Sequence, residues 1–594
     1  AIVPDEDAPA TVDVPANEVV RAYVRVRAEQ PGQAVLTVRA TSSGVADAIR
    51  REIAIVPPGR PVSFAVGGVL EDGSKEVELP LPADAVPGSM TVQMKVYPSR
   101  FSELMDGLEN IFRMPHGCFE QTSSTTYPNI MALSYMKAHG QTRPEVAAKA
   151  QNYINLGKQR LLGFEVGDGG FSLFGQPAAN VALTAYGMMQ FADMAKVEPV
   201  DDKLLARMAK WIASRQAGEG SWTGNLFETP ILDGSKIATT AYVTWAISAY
   251  DADSPAAIKG RGYIESNIAS VKDAHTLALC ANAFQAGGDN SAGAGILRRL
   301  AGMAQRAGKD QQHWSASGSH LTYSRGRYGD VETTALAALA LSHDRQYMPL
   351  LHDALRWLAA RKDPRGTWGT TQATVLALKA LLAGENSAAR RNATATVAVR
   401  DAAAENATSL AELTVAPDQL DVVHTMRLAP PKTAGPVRLR IDGRNAAGMG
   451  YQLVVRYHTL TAPASDSGPL DIRVEYDRTE LRTGESLTAR VTITNKSSAS
   501  AKVLLADVGT PPGFTVDPSG LDKLQTQGKI DRYTVAARGV ILYIPEVKAK
   551  ARLELSYKLI ARMPLSAVAA PTRLYPYYDP DSLASDSSAR FTVK

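Results

Sequence analysis

Cysteine is scarce in this 594-residue chain: Cys118 and Cys280 are the only two, too few for a disulfide framework, so each thiol is read singly. Metal-ligand spacing is missing as well. The cysteines lie far apart and the nine histidines are scattered, so no metal site is expected, and nothing in the sequence calls for another cofactor. Charge of one sign is also lacking. With 64 basic against 60 acidic residues, the formal net charge of +4 gives no general field for nucleic acid or an anionic membrane, and nucleic acid is not expected as a partner. No apolar run approaches the roughly 18 residues of a membrane span. The best, Tyr242 to Ala249, is short and interrupted by Thr244, so no transmembrane segment is expected. The start, Ala1 to Pro9, has neither a basic n-region nor an apolar h-region; any secretion signal is expected to have been removed or to lie upstream.

What is present is ordinary globular material, 45% hydrophobic and 21% charged. At about 150 residues per domain the length predicts roughly four domains. From Glu18 to Val56 polar and apolar residues alternate, which predicts short antiparallel strands and a partial β domain over residues 1–60. Further strands are expected at Val62–Val66, Val77–Leu81 and Met90–Tyr97. At Phe101 the period changes: Phe101, Leu104, Met105, Leu108, Ile111 and Phe112 share one face of a 3.6-residue helix, and strand alternation nearly vanishes until about Ala383.

This helical region repeats. Glycine-rich loops, each with one aromatic, run into apolar helices at Gly167-Asp168-Gly169-Gly170-Phe171, Gly218-Glu219-Gly220-Ser221-Trp222, Gly326-Arg327-Tyr328-Gly329 and Arg365-Gly366-Thr367-Trp368-Gly369. The aromatics stand 51, 106 and 40 residues apart, and the long interval is close to two periods. Two helices per unit bury a continuous core only when several units stack. A closed ring of inner and outer helices, an α/α toroid over residues 99–389, is therefore expected, with the loop aromatics packing between units. Strands return beyond Asn392. The toroid then reads as an insertion into one discontinuous β-sandwich, residues 61–98 and 390–460, and a linker at 461–468 leads to a last antiparallel sandwich over 466–594.

One constellation carries reactive promise: Pro115-His116-Gly117-Cys118-Phe119-Glu120-Gln121-Thr122. A cysteine and a glutamine three residues apart on a tight turn can meet. The thiol can then displace ammonia from the side-chain amide and leave a strained internal thioester. Gly117 permits the turn, and proximity makes the attack on an unreactive amide intramolecular. Cys280, inside the apolar stretch Thr276 to Ala281, reads as a small buried hydrophobe.

These residues resemble the signature Pro-Tyr-Gly-Cys-Gly-Glu-Gln of the alpha-2-macroglobulin and complement thioester-containing proteins. His116 stands at the Tyr and Phe119 at the second Gly, which is more similar to bacterial members. Pro511-Pro512-Gly513-Phe514, Val540-Ile541-Leu542-Tyr543 and Leu574-Tyr575-Pro576-Tyr577-Tyr578-Asp579-Pro580 look like that family's closing domain. The resemblance implies a toroidal thioester domain inserted in a CUB-like β domain, a partial macroglobulin-like domain before it and a receptor-binding-type sandwich after it. It implies Cys118 as the thiol, Gln121 as the acyl side and Glu120 as a polarising neighbour, with Tyr575, Tyr577, Tyr578 and His116 as candidate shields against water.

The activity implied is that of a protease inhibitor with a self-formed thioester rather than an enzyme. Cleavage of an upstream bait segment exposes the bond, which then couples to the attacking protease. Gly220 to Lys236 contains no histidine where complement-like members use one to favour hydroxyls, so lysine amines are the expected acceptors. A periplasmic or secreted location, possible anchoring through a missing N-terminal part, a role in innate defence and a receptor contact of the last domain follow from the family alone. The alternatives are an opsonin-like surface tag and an α/α-toroid enzyme, glycosidase or cyclase-like. For a cyclase Asp201-Asp202 and Asp251-Ala252-Asp253 fall short of a full acidic motif, and a glycosidase would need two facing carboxylates.

Overall fold

The computed structural model describes residues 2–4, 11–20, 26–29, 31–57, 60–99, 102–103, 106, 118–138, 144–223, 236–308, 310–316, 324–384, 393–402, 409–429, 435–459, 468–536, 538–577, 579, 582–587 and 589–594. Nearly all of the expected helix at 101–112, and all but Gly468 of the linker at 461–468, lie outside them.

Strands from both sides of the helical region share sheets. Gly73–Leu79 pairs with Val437–Arg444, which pairs with Ala395–Asp401 and then Ala411–Val415. The facing sheet runs His424–Leu428, Thr91–Tyr97, Gly450–Thr459, Arg60–Val69. The alternating strands put Val77, Leu79, Met94, Val96, Val397, Leu439, Ile441 and Leu453 into one core between the sheets. This sandwich is tied to the helices by Lys362. The buried ammonium donates to the Glu103 carbonyl at 2.5 Å and lies 4.6 Å from the Tyr97 ring centre, while Gln452 donates to the Lys362 carbonyl at 2.8 Å.

The helices are α1 (Phe119–Ala138), α2 (Pro144–Leu162), α3 (Val181–Ala195), α4 (Asp202–Ala213), α5 (Lys236–Tyr250), α6 (Pro255–Asn267), α7 (Ala274–Ala286), α8 (Asn290–Gly302), α9 (Gly326–Leu341), α10 (Met348–Ala360) and α11 (Thr371–Ala383). Alternate members form the inner wall: α1, α3, α5, α7, α9 and α11 pack each against the next, and α11 returns to α1. The ring is closed. Inner helices such as α3 and α5 bury residues around most of their circumference, whereas α4 buries only the stripe Leu204, Leu205, Met208 and Ile212.

The repeat has a hydrogen-bond signature. The backbone N–H of Phe171, Trp222, Trp314 and Trp368 donates to Thr184, Thr240, Thr334 and Thr374 of the following inner helix, at 2.9, 3.0, 3.0 and 3.1 Å. Each indole N–H of the three tryptophans donates to a carbonyl of the preceding outer helix: Ile212, Leu300 and Leu358, at 2.7–2.8 Å. A large ring thus fills the wedge between helices at these four positions, and at the three tryptophans its polar atom is satisfied. Gly169 and Gly220, two residues before their aromatics, have φ of 94° and 95°, and a Cβ at either would sit 2.4 Å from the carbonyl oxygen of Arg207 or Lys259. Close docking of the outer helix requires glycine there.

The third repeat departs from the expectation. Its aromatic is Trp314, which follows a short hairpin of Gln305–Gly308 and Gln311–His313, while Gly326 to Gly329 forms the first turn of α9. Tyr328 matched the glycine-aromatic pattern without occupying the wedge. The unit leading into α7 has no such aromatic; Asp273 caps that helix by accepting the Thr276 N–H at 2.8 Å.

The region before residue 60 holds antiparallel strands. Gly32–Ser42 and Val45–Ile55 form a long hairpin with every described side chain exposed or half exposed, and Ile2–Pro4 pairs with Val26–Ala28. The last sandwich has a four-stranded sheet, Leu470–Tyr476, Ser486–Asn495, Arg552–Ala561, Phe514–Val516. Against it lies a five-stranded sheet, Arg532–Ala536, Gly539–Val547, Ala501–Gly509, Thr572–Pro576, Ala584–Asp586. The helix Pro518–Thr526, capped by Asp517, was not expected from the alternating pattern.

Candidate functional site

Cys118 occupies the N-cap of α1, and Gln121 is its third residue. Their interactions are those of a capping box with sulfur in place of a hydroxyl. The Gln121 side-chain oxygen accepts the Cys118 N–H at 3.2 Å, and the Cys118 sulfur accepts backbone N–H groups of Gln121 and Glu120. The requirement that a helix satisfy its first N–H groups therefore turns the thiol and the amide toward each other.

The Cys118 thiol is half-buried, and its pKa is pushed up to about 11. Burial is the main cause and the Glu120 carboxylate adds to it; the backbone donors and Arg532 act in the opposite direction. Glu120 is buried in the first turn, where the helix dipole favours an acid. Its field also reaches Tyr186 and Tyr577, whose phenols burial already holds protonated.

Phe119 explains its own departure from the signature. Its ring is fully buried and meets Phe164, Phe171 and Tyr186 edge-on, with centroids 5.7–6.2 Å apart. Space for it comes from Gly187 on α3, where a Cβ would lie 2.9 Å from the Phe119 ring. The Phe119 N–H donates to the Leu173 carbonyl at 2.9 Å, which fastens the start of α1 to the first aromatic loop.

Across from this turn lies the last sandwich. Arg532 donates from Nη2 to the Gln121 oxygen at 2.7 Å, and its guanidinium stacks 3.9 Å from the Tyr543 ring centre, the residue opposite it in the strand register. The Tyr577 side chain hydrogen-bonds to Gln121. A pocket of about 40 Å³ joins the halves, lined by Cys118, Gln121 and Phe174 on the toroid and by Val503, Arg532 and Tyr577 among others on the sandwich. Val503 interrupts the ladder without shifting its register: the pairing of Ala501–Gly509 with Gly539–Val547 omits it and Pro545 opposite, and its φ is 49°, uncommon for a β-branched residue. Its carbonyl accepts the Tyr577 N–H at 2.9 Å, which holds Tyr577 beside Val503 just past the end of the Thr572–Pro576 strand.

Of the residues named from sequence, Cys118, Glu120, Gln121 and Tyr577 come together. Tyr575 does not line the pocket. It pairs in the sheet with Leu505 and lies among the charges of Arg573, Asp507 and Arg365, whereas Tyr577 lies just past the end of that strand, beside Val503. His116 and Tyr578 lie outside the described residues. Arg532, Tyr543, Val503 and Phe174 were missed; a lone arginine opening an edge strand has no sequence signal. Cys280 is fully buried in α7. Among the described residues no group of three or more His, Cys, Asp or Glu side chains is placed to hold a metal, and no helix is long and apolar enough to cross a membrane.

A closed helical ring that presents a capped Cys-Gln turn to a β-sandwich defines a thioester-domain architecture. Two family profiles fit it. The A-macroglobulin TED domain matches residues 90–383, and the A-macroglobulin receptor binding domain matches residues 499–587. Ovostatin of Gallus gallus is 24% identical over 545 residues, 86% of this chain and 35% of the relative. The native Escherichia coli alpha-2-macroglobulin fragment from domain MG7 to the C-terminus superposes with a TM-score of 0.67 at 15% identity, over 100% of this chain and 92% of that one. Salmonella alpha-2-macroglobulin reacted with methylamine gives a TM-score of 0.66 at 17% identity, over 100% of this chain and 38% of that one. The chain belongs to the alpha-macroglobulin family and corresponds to its C-terminal part. It spans about a third of the length of the curated relative it matches.

Proposed function

We propose that Cys118 and Gln121 close an internal thioester, and that the protein of which this chain is the reactive part inhibits proteases by coupling to them through that bond. The observation that carries the reading is the reciprocal capping of Cys118 and Gln121 beneath Arg532 and Tyr577. A turn that already brings sulfur and amide together supplies the proximity that a reaction at an amide needs. The sandwich over it supplies the exclusion of water that a thioester needs to persist. Displacement of the sandwich, as after cleavage elsewhere in the protein, would open the pocket to an amine. Lysine side chains are the proposed acceptors, since Gly220 to Lys236 offers no histidine to redirect transfer to hydroxyls. A location outside the cytoplasm is part of the same proposal.

Methylamine provides the test. Peptide mapping after treatment of the native chain is expected to find methylamide on Gln121 and a newly titratable thiol at Cys118. An unmodified Gln121, with Cys118 titratable before any amine is added, would overturn the reading.

A further inference from the structure

The side-chain oxygen of Gln121 has two donors from different domains: the Cys118 N–H at 3.2 Å and Nη2 of Arg532 at 2.7 Å. Both point at the same atom. That atom is where negative charge would appear if the Cys118 sulfur attacked the Gln121 amide carbon. The guanidinium is held by stacking on Tyr543, so its position does not depend on the bond to Gln121. The hydrogen bond between Tyr577 and Gln121 adds a further restraint on the amide plane.

We propose that the Cys118 N–H and Arg532 form an oxyanion hole for thioester closure, so that the reactive bond is made only while the last sandwich is seated on the helical ring. The inference rests on the thioester reading above and adds the group that makes the bond form. The sulfur attacks the amide carbon, the C=O electron pair moves to the oxygen, and the two donors stabilise the tetrahedral anion. On collapse the C–N bond breaks, the nitrogen takes the proton given up by the thiol, and ammonia leaves. The chain is then lighter by one NH3, and no other reactant is consumed. An amide is a poor electrophile, so donors aimed at the developing charge in a pocket shielded from bulk solvent are where catalysis has most to gain. Formation and use of the bond are thereby separated. Arg532 polarises the carbonyl while the lid keeps amines out, and it departs with the lid when amines gain access.

Arg532→Met, which keeps an aliphatic stem over Tyr543 but no donor, and Arg532→Lys test this in the full chain. The fraction of molecules lighter by one ammonia is followed by intact mass from synthesis onward, with methylamine sensitivity and thermal unfolding read on the same samples. Loss of an oxyanion donor is expected to slow closure by roughly 100-fold or more in Arg532→Met, with the lysine variant intermediate and unfolding little changed. Closure in Arg532→Met at the parent rate would overturn the proposal. So would normal closure followed by faster methylamine reaction, which would make Arg532 a latch only. Should the parent chain itself never lose ammonia, the underlying thioester reading fails, and the inference with it.

Discussion

The two halves of the pocket are built on different principles. The toroid half is local: four consecutive residues, Cys118 to Gln121, take their geometry from the start of one helix and their support from a buried aromatic cluster. The sandwich half is assembled from residues distant in sequence, with Val503, Arg532, Tyr543 and Tyr577 converging through strand register. Reactivity is thus encoded in a short motif. Protection depends on how one domain sits on another.

Variants that separate the halves sharpen the contrast. Cys118→Ala should abolish both ammonia loss and methylamine uptake while leaving the sandwich contacts in place. An Ala variant that still takes up methylamine at Gln121 would refute a sulfur-dependent site. Trp222→Ala, which removes a fully buried ring and its hydrogen bond to Ile212, should destabilise the toroid by about 3–5 kcal/mol and be visible in chemical unfolding. Gly187→Ala drives a methyl into Phe119 and should cost about 1–3 kcal/mol, lowering thioester yield with stability. Tyr577→Ala, on the lid side, should instead leave toroid stability within about 1 kcal/mol of the parent and speed the methylamine reaction. Equal behaviour of the two would dissolve the distinction between halves.

The smallest effect is one of pH. In chain whose thioester has been hydrolysed and whose sandwich is seated, burial and Glu120 hold the Cys118 thiol up to about 11. A raised thiol pKa means less thiolate at neutral pH, so alkylation should be slow at pH 7 and rise until about pH 11. With the sandwich displaced, the plateau should move down toward the ordinary thiol value of about 8.5. Stopped-time alkylation across pH reads this directly.

The same division governs what the sequence makes legible. Apolar helices at a loose fixed spacing identify a ring, and Phe171, Trp222 and Trp368 mark its wedges because each sits in a glycine-bearing turn. Trp314 does the same work after a hairpin without that turn, so the pattern points to Tyr328 instead. Cys118 and Gln121 are readable because their spacing is itself the geometry. Arg532 is not, since its partner lies 411 residues away in sequence and no local pattern records a contact between domains. Tyr575 and Tyr577 look equivalent in sequence, yet Tyr577, just past the end of its strand, lines the pocket and Tyr575 does not. The hairpin before residue 57 is legible for the same local reason, since alternation along each strand marks it directly.

The most direct measurement is the intact mass of freshly prepared, untreated full chain. The account predicts a mass one ammonia below that of the unmodified sequence, rising by one water on hydrolysis, which leaves glutamate at position 121. The full sequence mass from the outset, in folded protein never exposed to amine or hydrolysis, would contradict it.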